Sequence, residues 1–261
     1  MSDENRMTFT EHLSELRTRI IRSMLAIVLA FIIAYALSNH IFQLLSYPLD
    51  GLRQAGMLAE EAQAKAPASA QWTVLNPLEP LLVKMKLAAY AGLLMALPYI
   101  VYQVCAFIFP GLTPGERRMA RFLIIGSALF VVFGVAVAYF GVFPMILPYM
   151  LQWVPQGVQV QFRMNETISL IIKGLAAFAI SFQFPMVVMV LVYLGVLTPE
   201  TLKRYRRFAI VGLSAAAALL TPPDPLSMVI MLIPLIILYE LSIWLSHIVV
   251  RYARKGEAEH V

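Results

Sequence analysis

Charge is what this sequence has least of. Of its 261 residues only 13% are Asp, Glu, Lys or Arg, while 60% are hydrophobic, and the mean hydropathy is +0.77. Soluble domains carry about a quarter charged residues, so this composition excludes a water-soluble class and leaves a multi-spanning membrane protein. Cysteine is nearly absent. The single one, Cys105, lies in an apolar run, which excludes an intrachain disulfide and a thiolate metal centre. The four histidines, His12, His40, His247 and His260, are scattered without metal-ligand spacing. There is also no glycine-rich phosphate loop ending in Lys and Ser or Thr, so the chain itself does not use ATP as fuel. No metal, cofactor or enzyme activity is therefore expected. The opening stretch "MSDENRMTFTEHLSELRTR" is polar rather than a cleavable secretory signal, so the first apolar run is expected to stay as an anchor.

What the sequence does have is apolar runs near the roughly 20 residues that cross a hydrocarbon core of about 30 Å as helix. They predict spans at 20–38, 81–109, 121–148, 167–197, 208–220 and 226–249, in a single membrane-embedded domain over 1–261. The fold class expected is all-α, with six transmembrane helices and short fifth and sixth spans. The fifth covers only about 20 Å at 1.5 Å per residue and stops at "TPPDP", where Pro222 and Pro223 cannot continue a helix. A thinned bilayer and a concave edge are expected beside it. Pro98, Pro185 and Pro234 should bend other spans, giving a cupped bundle.

The net charge of +5 is read as a topology signal rather than a sign of nucleic acid. Fourteen of the twenty bases fall before or at the start of the first span, between the second and third or at the start of the third, between the fourth and fifth, or after the sixth. Arg17, Arg117, Arg204 and Arg254 represent these four groups. The positive-inside bias then puts both termini in the cytoplasm, as an even span number requires.

Few polar residues interrupt this pattern. Glu11 and Glu15 are four apart, with Leu13, Leu16 and Ile20 opposite them, so the segment reads as an amphipathic lead into the first span. On spacing alone, Glu15 is best explained by an exposed pair with Arg19, worth about 0.3–0.5 kcal/mol. Glu116 is best explained as the acid of a capping box with Thr113 and Pro114. Gln183, in mid-span, is expected to bond a neighbouring helix, with a partner or substrate contact as the sharper alternative. Glu240, an acid expected to be buried in the sixth span, is evenly balanced between a structural acid and a functional one. Asp224 could organise the proline-rich turn. A secondary transporter using Glu240 as a proton site is the competing class. No internal repeat with paired broken helices supports it. A third class, a purely structural scaffold, would give no cytoplasmic acid an individual role.

The blocks "HLSELRTRI", "YPL" (47–49), "NPLEP", "YQVCAFIFPGLTPGERR", "AYFGVFP", "SFQFP" and "TPPDPLSMVIMLIPLIILYEL" follow one another in the order of a known family. Over nearly its whole length the chain resembles TatC, the six-helix subunit of the twin-arginine protein translocase. The resemblance implies a receptor for signal peptides with paired arginines. It would export folded proteins with TatA- and TatB-type single-span subunits, driven by the proton-motive force. It further implies a bacterial inner-membrane location and a homo-oligomer within the complex. The matching residues are Glu15, Arg17, Phe107 and Glu116 for signal recognition and Pro48 and Asp224 on the periplasmic side. Gln183 matches within the membrane; Glu240, singled out by its own chemistry, and Met228 join it as expected intramembrane contacts. Met228 stands where many relatives have glutamine, and Gln183 where glutamate is common.

Overall fold

Helices account for nearly all of the regular structure. The computed structural model describes residues 9–54, 72–108, 114–153, 155, 162–220 and 225–258. Side chains are described over 13–46, 72–107, 124–153, 155, 162–219, 225–248 and 250. In chain order the elements are α1 (Phe9–Ala36), α2 (Ser38–Gln54), β1 (Trp72–Thr73), α3 (Glu79–Ile108) and α4 (Pro114–Ala136). A π-helical turn (Val137–Val142) leads into α5 (Phe143–Leu151). Then come β2 (Phe162–Arg163), α6 (Met164–Ser181), α7 (Phe184–Tyr193), α8 (Pro199–Arg204), α9 (Arg206–Leu220) and α10 (Pro225–Ala258).

Five stretches among the described residues are long and apolar enough to span a membrane: Leu13–Ala36, Glu79–Phe107, Ile124–Leu151, Met164–Tyr193 and Pro225–Ile248. The third combines α4, the π turn and α5; the fourth combines α6 and α7. The remaining predicted span is α9, a helix where one was expected but only 15 residues long. The last span is not short. It is a 24-residue span within a 34-residue helix, because Pro234 is accommodated inside α10 without ending it. Pro98 is likewise inside α3, whereas Pro185 follows a real break between Ser181 and Phe184.

The core forms around α6. Ile168, Ile171, Ile172, Leu175, Phe178 and Ala179 repeat at three- and four-residue intervals and are buried. All but Ala179 belong to a cluster that includes Leu87 of α3, Phe143 and Leu147 of α5, and Leu235 and Leu238 of α10. By contrast, α1 lies at the margin. Its side chains are mostly exposed, and it packs chiefly on α3. The contact is close because Ala88, Gly92 and Ala96 of α3 are small, buried and four apart, facing the buried Ala30 and Ala34 on α1. A Cβ on Gly92 would lie 2.7 Å from the Phe31 backbone nitrogen, so only glycine permits this approach.

The opposite end of α3 is tied down by Glu79, which is only 6% exposed. Its Oε2 accepts from the Leu75 backbone N–H at 2.9 Å and its Oε1 from the Asn165 backbone N–H at 3.1 Å. Lys86 donates to Asn165 Oδ1 at 2.8 Å. Beside this clamp β1 and β2 pair in parallel, Trp72 with Phe162 and Thr73 with Arg163. In the π turn, the Tyr139 hydroxyl donates to the Leu44 carbonyl at 2.5 Å, joining the third span to α2.

Candidate functional site

The amphipathic lead forms as helix, but its faces are the reverse of what a soluble protein would show. Leu13 and Ile20 are 47% and 50% exposed, while Glu15 and Arg19 turn toward α3 and are each 19% exposed. The bilayer explains the reversal. Apolar side chains gain nothing by leaving lipid for protein, whereas polar groups gain partners by facing another helix.

Arg19 grips a single oxygen of Glu15: Nη2 donates to Oε1 at 2.5 Å and Nε donates to the same atom at 3.0 Å. The remaining edge of the guanidinium reaches across to α3, where Nη1 donates to Gln103 Oε1 at 3.2 Å. Gln103 is almost fully buried, and its amide nitrogen donates to the Tyr99 hydroxyl at 2.6 Å. Thus the pair expected from i, i+4 spacing does form, but as part of a partly buried network between two helices rather than on the surface.

Glu15 Oε2 is buried and has no hydrogen-bond partner among the described residues. An ionised carboxylate offers about four acceptor positions, and leaving a buried acceptor unmade costs about 1–3 kcal/mol. The site therefore holds one saturated oxygen and one that lacks a donor among the described residues and is covered by its neighbours. Phe107 follows Gln103 by one helical turn on the same side of α3 and is half-buried. Arg17 is exposed. Glu116 belongs to the first turn of α4, but its side chain lies outside the described ones, as does that of Pro48 in α2. Asp224 lies outside the described residues altogether.

The intramembrane residues have partners of their own. Gln183, buried at the break between α6 and α7, accepts from the Ser127 hydroxyl at 2.5 Å and donates to the Ser127 carbonyl at 3.3 Å. This is the helix-to-helix bond expected of a mid-span amide. Met228 is half-buried against the main core. Glu240 lies within the last span but is not packed among the helices: its side chain is 45% exposed and accepts from Arg206 Nη2 at 2.6 Å. The start of α9 supplies the base, so the acid needs no burial among helices to be compensated. Next to it, the Tyr239 hydroxyl donates to the Leu202 carbonyl at 2.7 Å, fixing α8 against α10.

Gln103, Tyr99 and Glu79 were missed in reading the sequence. The signal for Gln103 was present, because an amide within an apolar run must find a partner, the same argument applied to Gln183. Among the described residues no group of His, Cys, Asp and Glu is arranged to hold a metal ion.

The comparisons with known proteins agree with one another. A family model described as "Sec-independent protein translocase protein (TatC)" matches residues 11–234. The chain is 32% identical over 257 residues to the Sec-independent protein translocase protein TatC of Escherichia coli (strain K12), covering 98% of this chain and 95% of that one. To the TatC protein of Halothiobacillus neapolitanus it is 33% identical over 253 residues, covering 96% of this chain and 66% of that one. A crystal structure of a twin-arginine translocase receptor, TatC, matches with a TM-score of 0.76 at 33% identity, over 92% of this chain and 100% of that chain.

Proposed function

This chain belongs to the TatC family, as a multi-pass membrane subunit and signal-peptide receptor of the Sec-independent, twin-arginine protein translocase, and from that premise we propose that Glu15 takes one arginine of the signal's pair. Glu116 takes the other, with Arg17 and Phe107 at the margin of the same cytoplasmic patch. The observation that supports this most is the one oxygen of Glu15 that has no partner among the described residues, buried at the α1–α3 junction. A guanidinium presents planar N–H donors to such an oxygen; an ammonium is a point charge and does not reproduce that geometry.

Hydrogen bonds to charged groups contribute about 1.5–3 kcal/mol each, while micromolar affinity needs about 8 kcal/mol. The carboxylates therefore select, and burial of the signal's apolar stretch supplies most of the binding, at about 25 cal/mol per Å².

The same proposal extends to the rest of the chain. Six helices span the bilayer in a cupped bundle, with α9 as the short fifth, and both termini lie in the bacterial cytoplasm. Pro48 and Asp224 lie on the periplasmic side. TatA- and TatB-type single-span subunits assemble with this chain and further copies of it, and the proton-motive force drives export of folded cargo. Exposed Glu240 contacts a partner helix or the inserted signal, and Gln183 and Met228 support that contact from inside the bundle.

The test is photo-crosslinking from position 116 in native membranes to a signal peptide carrying paired arginines, beside the same peptide with lysines. Adducts with the arginine peptide that disappear with lysines, and in Glu15→Gln, are the expected result. Equal adducts with both peptides would return Glu15 and Glu116 to helix capping and pairing.

A further inference from the structure

We propose that Arg19 is a specificity-determining positioning residue: by neutralising Glu15 and holding only its Oε1, it makes the site selective for guanidinium over ammonium. The inference rests on the reading of Glu15 given above.

Three features of the network carry it. Arg19 does not form the side-by-side fork in which two nitrogens meet two carboxylate oxygens. Both Nε and Nη2 meet Oε1, at 3.0 and 2.5 Å, and Oε2 is left without a donor among the described residues. The guanidinium cannot swing to cover Oε2 without breaking its bond from Nη1 to Gln103 Oε1. Gln103 in turn is held. It is 3% exposed, and its amide nitrogen is committed to the Tyr99 hydroxyl, so the carbonyl end faces Arg19. A flipped amide would set N–H against N–H.

The consequence is electrostatic. A bare carboxylate in a partly buried site attracts any cation, lysine as well as arginine. With Arg19 in place the pair has no net charge, so an approaching ammonium meets attraction from Glu15 and repulsion from Arg19 at similar range. A guanidinium depends less on net charge, since once the side chains covering Oε2 give way it can direct two N–H groups at that oxygen, repeating the grip that Arg19 has on Oε1. Arg19 thus lowers the affinity for the wrong cation more than for the right one, which is specificity by a built-in repulsive element. Its own helix cannot position it alone, because the anchor is Gln103 on α3.

The experiment compares binding of signal peptides with paired arginines and with paired lysines to the full-length protein in nanodiscs. Arg19→Gln is expected to reduce the ratio of the two affinities about tenfold, or about 1.4 kcal/mol, mainly because the lysine peptide binds more tightly. Gln103→Leu keeps both charges of the pair and removes only the anchor. It should lower the ratio in the same direction by a smaller factor, and it decides the matter if Arg19→Gln does not fold. Equal weakening of both peptides would reduce Arg19 to a structural role, and equal strengthening would make it a simple competitor; either overturns the inference, as does an unchanged ratio in both variants. Glu15→Gln serves as the reference. If it leaves arginine-peptide binding intact, the reading of Glu15 itself fails, whereas a loss there beside an unchanged ratio in the Arg19 and Gln103 variants removes only the role of Arg19.

Discussion

At the scale of single residues, the polar groups inside the bundle are few, and several are held by a specific neighbour. Gln183 and Ser127 exchange two hydrogen bonds at a position where the chain breaks between α6 and α7. Interhelical hydrogen bonds in membranes contribute about 0.6 kcal/mol on average and up to about 1.7. Gln183→Leu combined with Ser127→Ala in a double-mutant cycle should show coupling of that size in unfolding from detergent micelles. Additive effects would mean that the pair is incidental to the packing of the third and fourth spans. Sequence reading reached Gln183 because an amide in an apolar run demands a partner, and it left glue and ligand contact open because one chain does not fix helix rotation. The partner of Glu240 was not legible for a related reason. The compensating Arg206 is 34 residues away, at the start of a different helix, and no local spacing relates the two.

At the scale of elements, the α1–α3 contact governs the candidate site. Arg19 can reach Gln103 only because the two helices approach closely, and that approach is set where Gly92 meets the Phe31 backbone. A methyl at 92 would meet backbone atoms at 2.7 and 2.8 Å, which cannot yield as a side-chain tip could. Overpacking of this kind costs about 1–3 kcal/mol. Gly92→Ala is expected to lengthen the distance between spin labels at the exposed Met24 and Val104 and to weaken arginine-peptide binding. An unchanged distance would show that α1 is positioned by something other than this crossing. The signal was legible: Ala88, Gly92 and Ala96 form a small-residue repeat at four-residue spacing within an apolar run. Five long apolar helical stretches were also legible, because length and hydropathy determine them. The break before Pro185 and the unbroken helix through Pro234 were not, since proline signals strain without saying whether neighbouring helices absorb it.

At the scale of the whole molecule, α9, as the proposed fifth span, does not match its solvent. Fifteen residues rise only about 22 Å, roughly 8 Å short of an ordinary hydrocarbon core. Mismatch costs a fraction of a kcal/mol per Å, so the gap amounts to a few kcal/mol in a thick bilayer. Thermal stability of the reconstituted protein should therefore fall as lipid acyl chains lengthen, and four leucines inserted into α9, adding about 6 Å, should flatten that dependence. The same slope with and without the insertion would mean that the short helix is shielded from lipid.

The Glu79 clamp bears on how the molecule is made. Its bonds join residues 75 and 79 to residue 165, and the β1–β2 pair beside it joins 72 and 73 to 162 and 163. Neither can close until the ribosome has delivered the start of α6. The α1–α3 crossing uses only residues already synthesised by then, so the two ends of α3 are secured at different times. During insertion the end bearing Gln103 can dock against α1 first, while the end bearing Glu79 waits for the fourth span. The clamp is thus the later of the two attachments to form during synthesis, and a chain arrested before residue 162 would carry the α1–α3 network on a helix whose other end is still untied.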